Sequence, residues 1–91
     1  MYNTLVMTKK LEIFKKKLIY RASYRGTKEM DILLSSFVIK NINKFNEIQL
    51  IELGKFLDFE DEIILNFYNH NIIIKKIDEN KISKLFKEHV I

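Results

Sequence analysis

Cysteine does not occur in this chain, which excludes a disulfide framework, a thiolate nucleophile and thiolate metal ligands. Proline is also absent, and glycine occurs only twice. Loop-rich and β-sandwich folds need those residues at their turns, so helices joined by short polar links are expected instead. No run approaches the ~18 apolar residues of a membrane span. The N-terminus also lacks the continuous apolar stretch of a signal peptide. The expectation is therefore a soluble chain that is neither secreted nor inserted in a membrane. With only two histidines, His70 and His89, a metal site would need an unusual set of ligands.

What is present suits one small domain. Hydrophobic residues make up 47% and charged residues 31% of the 91 positions, enough for a single but marginal core. The net charge is +4 and the pI about 9.3, which brings nucleic acid or an acidic partner into consideration. Heavy use of Ile, Lys and Asn also fits an AT-rich genome, so the basic character is discounted. A monomer is expected, with residues 1–7 set apart as a flexible lead.

Five amphipathic segments can be marked. The first is predicted over Thr8–Ser23, with Leu11, Phe14, Leu18 and Ala22 as its apolar stripe and five lysines around it. Ile13, Lys17, Tyr20 and Tyr24 form a second row on another face. The second is predicted over Thr27–Ile39, with Met30, Leu33, Leu34, Phe37 and Val38 facing the core. Glu29, Ile32 and Ser36 share its other face. The third opens on "NEIQ", a variant capping box from Asn46 to Gln49, and aligns Leu50, Leu53, Gly54 and Leu57. Gly54 there is expected to admit a neighbouring helix. The fourth covers Glu60–Asn69, with an acidic N-terminal end that complements the helix dipole. "IIIKKI" reads as a packed connector, although its β-branched run also suits an extended stretch. The fifth is predicted over Asp78–His89, with Ile82, Leu85, Phe86 and His89 in register. The result is an all-α fold, a compact five-helix bundle in a single small domain.

Nothing in the chain assembles an enzyme. Ser23, Ser35, Ser36 and Ser83 lack any nucleophile motif, and there is no glycine-rich phosphate loop, HExxH or EF-hand pattern. His70 and His89 read as structural or solvated, with His89 closing a helix where an imidazolium favours the dipole. The acidic run Asp58–Glu62 is explained by helix capping more simply than by metal binding.

"YRGTKEMD" is the segment left over. Gly26 falls where one helix stops and the next starts, a place for positive φ. One reading makes it a turn residue, with Arg25 in solvent and Glu29 in the first helical turn. The other makes it a docking patch: bare backbone at Gly26, Arg25 on one side, Glu29 one turn on. Tyr20 and Tyr24 would supply aromatic anchors of the kind enriched at interfaces.

On these residues the chain resembles the SdhE family, also called succinate dehydrogenase assembly factor 2. Its Arg-Gly-x-x-Glu-x-Asp signature is matched by Arg25, Gly26, Glu29 and Asp31, followed by Leu33, Leu34 and Phe37. A second match, "FLDFEDEIILNFYNH", carries Leu57, Asp58, Asp61 and Asn66. Tyr24 stands where the family usually has another arginine, Phe67 where it has tryptophan and Glu62 where it has proline.

The resemblance implies a non-enzymatic assembly factor. Such a protein binds the flavoprotein subunit of succinate dehydrogenase, and in some members that of fumarate reductase, and promotes covalent FAD attachment within the partner. It further implies that no cofactor is held tightly by the chain itself. The location would be the bacterial cytoplasm, or the mitochondrial matrix in a eukaryote. Arg25, Gly26 and Glu29 would meet the partner, with Tyr20, Tyr24 and Lys28 as neighbours and Asp31 bracing the loop. The alternatives are a helical adaptor or a nucleic-acid-binding module using the same basic surface.

Overall fold

The computed structural model describes residues 4–91 of the chain, with side chains from residue 9 onward. Helix α1 runs Thr4–Ser23, α2 Lys28–Asn41, α3 Glu47–Leu57, α4 Asp61–His70 and α5 Ser83–Lys87. A single 3₁₀ turn, Ile77–Glu79, precedes α5. There is no strand among the described residues, and the all-α expectation holds. None of these helices is long and apolar enough to cross a membrane. Residues 1–3 of the expected flexible lead lie outside the described residues, and from Thr4 the backbone is already helical.

Local signals set most of the boundaries. Thr27 caps α2, its hydroxyl accepting the Met30 amide at 3.3 Å. Asn46 and Gln49 close the expected capping box on α3, with reciprocal bonds of 2.8 and 2.9 Å. Asn71, left-handed at φ 54°, ends α4.

The apolar stripes of α2, α3 and α4 meet Leu18 and Ala22 of α1 in one core. Phe86 is its hub. The ring lies 5.2 Å from Phe37 of α2, 5.0 Å from Phe56 of α3 and 5.0 Å from Tyr68 of α4. Offset and edge-on aromatic contacts of this kind add about 0.5–1.5 kcal/mol each to the area they bury. That explains how a helix as short as α5 stays docked.

Four expectations need correction. The stripe on α1 is shorter than predicted: Leu11 is exposed and Phe14 half-buried, because the core begins at Leu18. The connector is packed only at Ile77, whereas Ile72, Ile73 and Ile74 face outward. The fifth helix is not continuous over Asp78–His89. Asn80 interrupts it with an extended backbone, donating to Glu52 O at 2.9 Å and accepting from the Ile82 amide at 2.8 Å. Short polar side chains that bond the backbone in this way compete with helix formation. As a result Leu85 lies at the surface. Finally, α1 does approach α3 at Gly54, yet a Cβ there would sit 3.6 Å from Arg21 Nη1 and 3.7 Å from Leu18 Cδ2. These are ordinary contacts, so space does not demand the glycine.

Candidate functional site

The end of α1 builds the site. The Tyr24 amide still bonds to Tyr20 O at 3.2 Å, so the helical path runs one residue past Ser23. Gly26 then takes φ 116°, a conformation that side-chain-bearing residues rarely adopt. A Cβ at Gly26 would meet nothing within 4 Å. The glycine is therefore required by its backbone angle, and its Cα faces open space.

Arg25 points the other way. Its guanidinium donates through Nε to Asp61 Oδ1 at 2.7 Å, through Nη1 to Leu57 O at 2.7 Å and through Nη2 to Phe59 O at 2.8 Å. The side chain is only 11% exposed. The last carbonyls of a helix lack intrahelical donors, and the planar fork of arginine suits several of them at once. Asp31, in the first turn of α2, accepts the Arg25 main-chain amide. The loop is thus held from both sides, and Asp31 has the bracing contact expected of it.

One turn earlier, Arg21 makes a parallel contact. Its Nη2 donates to Gly54 O at 3.1 Å and to Asp58 Oδ1 at 2.5 Å. Arg21 and Arg25 together clamp α1 to the end of α3 and the start of α4. Asp58 and Asp61 therefore do more than complement a dipole. The two sequence motifs, one leading into α2 and the other starting at the end of α3, are joined by contacts 32 to 36 residues apart and form one physical unit.

The remaining candidates are exposed and surround Gly26. Tyr20 and Tyr24 are 65% and 70% exposed, with their ring centroids 4.7 Å apart. Lys28 and Glu29 are exposed on the first turn of α2. Sequence reasoning placed Arg25 with this surface group, but the structure commits its charge to the interior. It also missed Arg21, for which an i, i+4 pair of arginines ahead of a helix-stopping glycine was the available signal.

His89 is not a solvated helix-end imidazolium. It is buried beside Phe37, with Nε2 2.9 Å from Ser36 Oγ. Burial, aided by the charge of Lys40, lowers its pKa below 6.5. Ser36 Oγ also lies 3.0 Å from Leu33 O, a carbonyl to which its hydroxyl can donate. The pair packs α2 against the C-terminal segment and is not a nucleophile with its base. No group of three or more His, Asp or Glu gathers to hold a metal among the described residues. Two surface hollows, of about 230 and 240 Å³, fall below the ~300–1,000 Å³ of typical small-molecule sites.

Fold and site together define a small helical protein that presents a braced glycine edge and, among the described residues, no catalytic constellation. A family model described as "Flavinator of succinate dehydrogenase" matches residues 16–90, and the chain belongs to that family. It is similar to succinate dehydrogenase assembly factor 2, mitochondrial, of Dictyostelium discoideum, with 34% identity over 79 residues, 87% of this chain and 56% of that protein. The protein of the same name in Scheffersomyces stipitis is 37% identical over 78 residues, 85% of this chain and 52% of its own length. Succinate dehydrogenase assembly factor 2-B, mitochondrial, of Drosophila melanogaster is 33% identical over 82 residues, 88% of this chain and 53% of its own. The chain spans about half the length of the curated relatives it matches. All are named assembly factors and none is named a catalyst, in keeping with the expectation of a non-enzyme. No solved structure matches the chain at a significant level.

Proposed function

We propose that this chain binds the flavoprotein subunit of succinate dehydrogenase and promotes covalent attachment of FAD to it, with the fumarate reductase flavoprotein as a second client. The supporting observation is the convergence of the two family motifs on one braced edge. Arg25 ties the loop to Leu57, Phe59 and Asp61, which leaves Gly26 as open backbone flanked by Tyr24, Lys28 and Glu29.

Such an edge suits close docking of another protein. Bare backbone lets the partner approach, the tyrosine pair supplies rigid area, and the internal clamp removes much of the ordering cost of binding. The chain itself supplies no nucleophile and holds no flavin. It acts by favouring the flavoprotein conformation in which attachment proceeds. It works where that subunit matures, the cytoplasm of a bacterium or the matrix of a mitochondrion.

In-gel flavin fluorescence of the denatured flavoprotein tests the proposal. A strain lacking the chain is expected to lose most of the signal and to regain it on complementation. Undiminished fluorescence in that strain would refute it.

A further inference from the structure

Five lysines surround the apolar stripe of α1. Its geometry says more. Ile13, Lys17, Tyr20 and Tyr24 recur at i, i+4, i+7 and i+11, which places them along one line of the helix. The opposite side of α1 carries Leu18 and Ala22 into the core, so this line faces fully outward. Ile13 is 54% exposed, and the tyrosine pair continues the line as far as the Gly26 edge. Lys9 and Lys16 flank it, and both are exposed, as is Lys17. Lys16 and Lys17 pair with no carboxylate among the described residues. Glu12, the only acid in α1, sits about 100° round the helix from Ile13 and one turn before Lys16, but makes no ion pair with it among the described residues. The result is a ridge, roughly 22 Å long from Lys9 to Tyr24, that is cationic from Lys9 to Lys17 and aromatic from Tyr20 to Tyr24, the end touching the candidate docking site.

We infer that this ridge is the second half of the docking surface and lies against an acidic strip on the same flavoprotein subunit that meets Gly26. The inference rests on the proposed function and deepens it. Charge complementarity supplies the argument for the occupant: exposed Lys16 and Lys17, which make no ion pair among the described residues, beside Ile13 and two tilted tyrosine rings, fit a groove that is apolar at its floor and acidic at its rim. Continuity supplies the place, because Tyr20 and Tyr24 belong to both the ridge and the edge. The two regions divide the work. Lysines with free, solvated charge steer the encounter and set its salt dependence, whereas the tyrosines and the Gly26 backbone hold the complex once formed.

The test measures association and dissociation of the purified chain with the purified flavoprotein subunit at about 0.1 M and about 1 M salt. Lys16→Glu/Lys17→Glu is compared with Lys76→Glu/Lys84→Glu, which changes net charge equally but lies on exposed residues beyond α4. All four side chains are exposed, so melting temperatures should stay near wild type. The ridge pair is expected to weaken binding about tenfold or more at low salt, mainly in association rate, with the gap closing at high salt. Lys16→Gln/Lys17→Gln should show a smaller loss in the same direction. Tyr20→Ser/Tyr24→Ser should speed dissociation at both salt levels.

Equal losses from the ridge and distant pairs would overturn the inference, since net charge alone would then explain them. Ridge variants that bind like wild type, while Gly26→Arg does not bind, would also overturn it and leave the proposed function standing. A wild-type chain that does not bind the flavoprotein at all would remove both. Equally tight, ridge-dependent binding to a random-sequence DNA duplex would overturn it in favour of nucleic acid.

Discussion

Replacing Arg25 by alanine should damage the fold before it damages any interface. The guanidinium is the partner of two main-chain carbonyls, Leu57 O and Phe59 O, and of the Asp61 carboxylate. A buried acceptor left without its donor costs about 1–3 kcal/mol, and the lower half of that range applies at this partly wet helix end. The ion pair adds under about 1 kcal/mol, because the Asp61 side chain is 30% exposed and its charge is screened. Together these give a loss of about 3–4 kcal/mol. A small domain has only about 5–15 kcal/mol to begin with, and each kcal/mol moves its Tm by about 4–8 °C. Arg25→Ala should therefore melt about 12–30 °C below wild type. Arg25→Lys, which retains the charge but not the fork, should fall between the two. Circular dichroism during heating and urea titration both read this effect. An Arg25→Ala protein that melts within about 2 °C of wild type would refute the clamp and return Arg25 to the surface.

Gly26 should behave in the opposite way. Gly26→Ala and Gly26→Arg should lose similar amounts, about 1–3 kcal/mol by thermal melting, the cost of a Cβ at φ 116°, since nothing lies within 4 Å to add a clash. Only the arginine variant should then fail to co-purify with the flavoprotein. Glu29→Ala should leave stability within about 0.5 kcal/mol yet reduce partner affinity, measured by calorimetric titration. Gly54→Ala should stabilise the domain by about 0.5–1 kcal/mol, because the helix gains propensity and the added methyl makes only ordinary contacts. Stability should also depend on pH through His89. Its folded pKa is lowered, so above about 6.5 the imidazole is neutral in both states and its contribution is complete. As pH falls below that value the unfolded chain protonates first, and stability declines toward the folded pKa. Urea midpoints compared at about pH 7.5 and about pH 5.5 should show this decline, and His89→Gln should flatten it. Below about 4.5 a second loss should begin at Glu52, whose pKa is lowered chiefly by the bound Lys81 amide.

Periodicity and caps carried the fold well where the signal was local. The stripes of α2 and α3 and the box at Asn46 are read correctly because a turn of helix contains both partners of each interaction. The C-terminal segment is misread for the same reason in reverse. Asn80 breaks the helix by bonding to Glu52, which is 28 residues away and invisible to any local pattern. At the site, the positive φ of Gly26 and the brace from Asp31 fall within the seven-residue window Arg25 to Asp31. The direction of Arg25 is not set within it. Its three acceptors lie 32 to 36 residues downstream, and two of them are main-chain carbonyls with no sequence signature. A motif arginine next to a glycine looks like a surface cation until the second motif is folded against it. His89 takes the structural one of its two readings: it lies in register with Ile82 and Phe86, and its ring packs against Phe37, 52 residues away, which no local pattern shows.

The most direct test mixes purified apo-flavoprotein subunit, FAD and this chain, and follows covalent flavin by fluorescence of the acid-precipitated subunit. Wild-type chain should raise the rate of attachment well above that of flavoprotein and FAD alone, and Gly26→Ala should retain most of that effect. Gly26→Arg, folded by circular dichroism, should leave the rate at the level without the chain. Attachment that proceeds equally fast with no chain, with wild type and with Gly26→Arg would contradict the account.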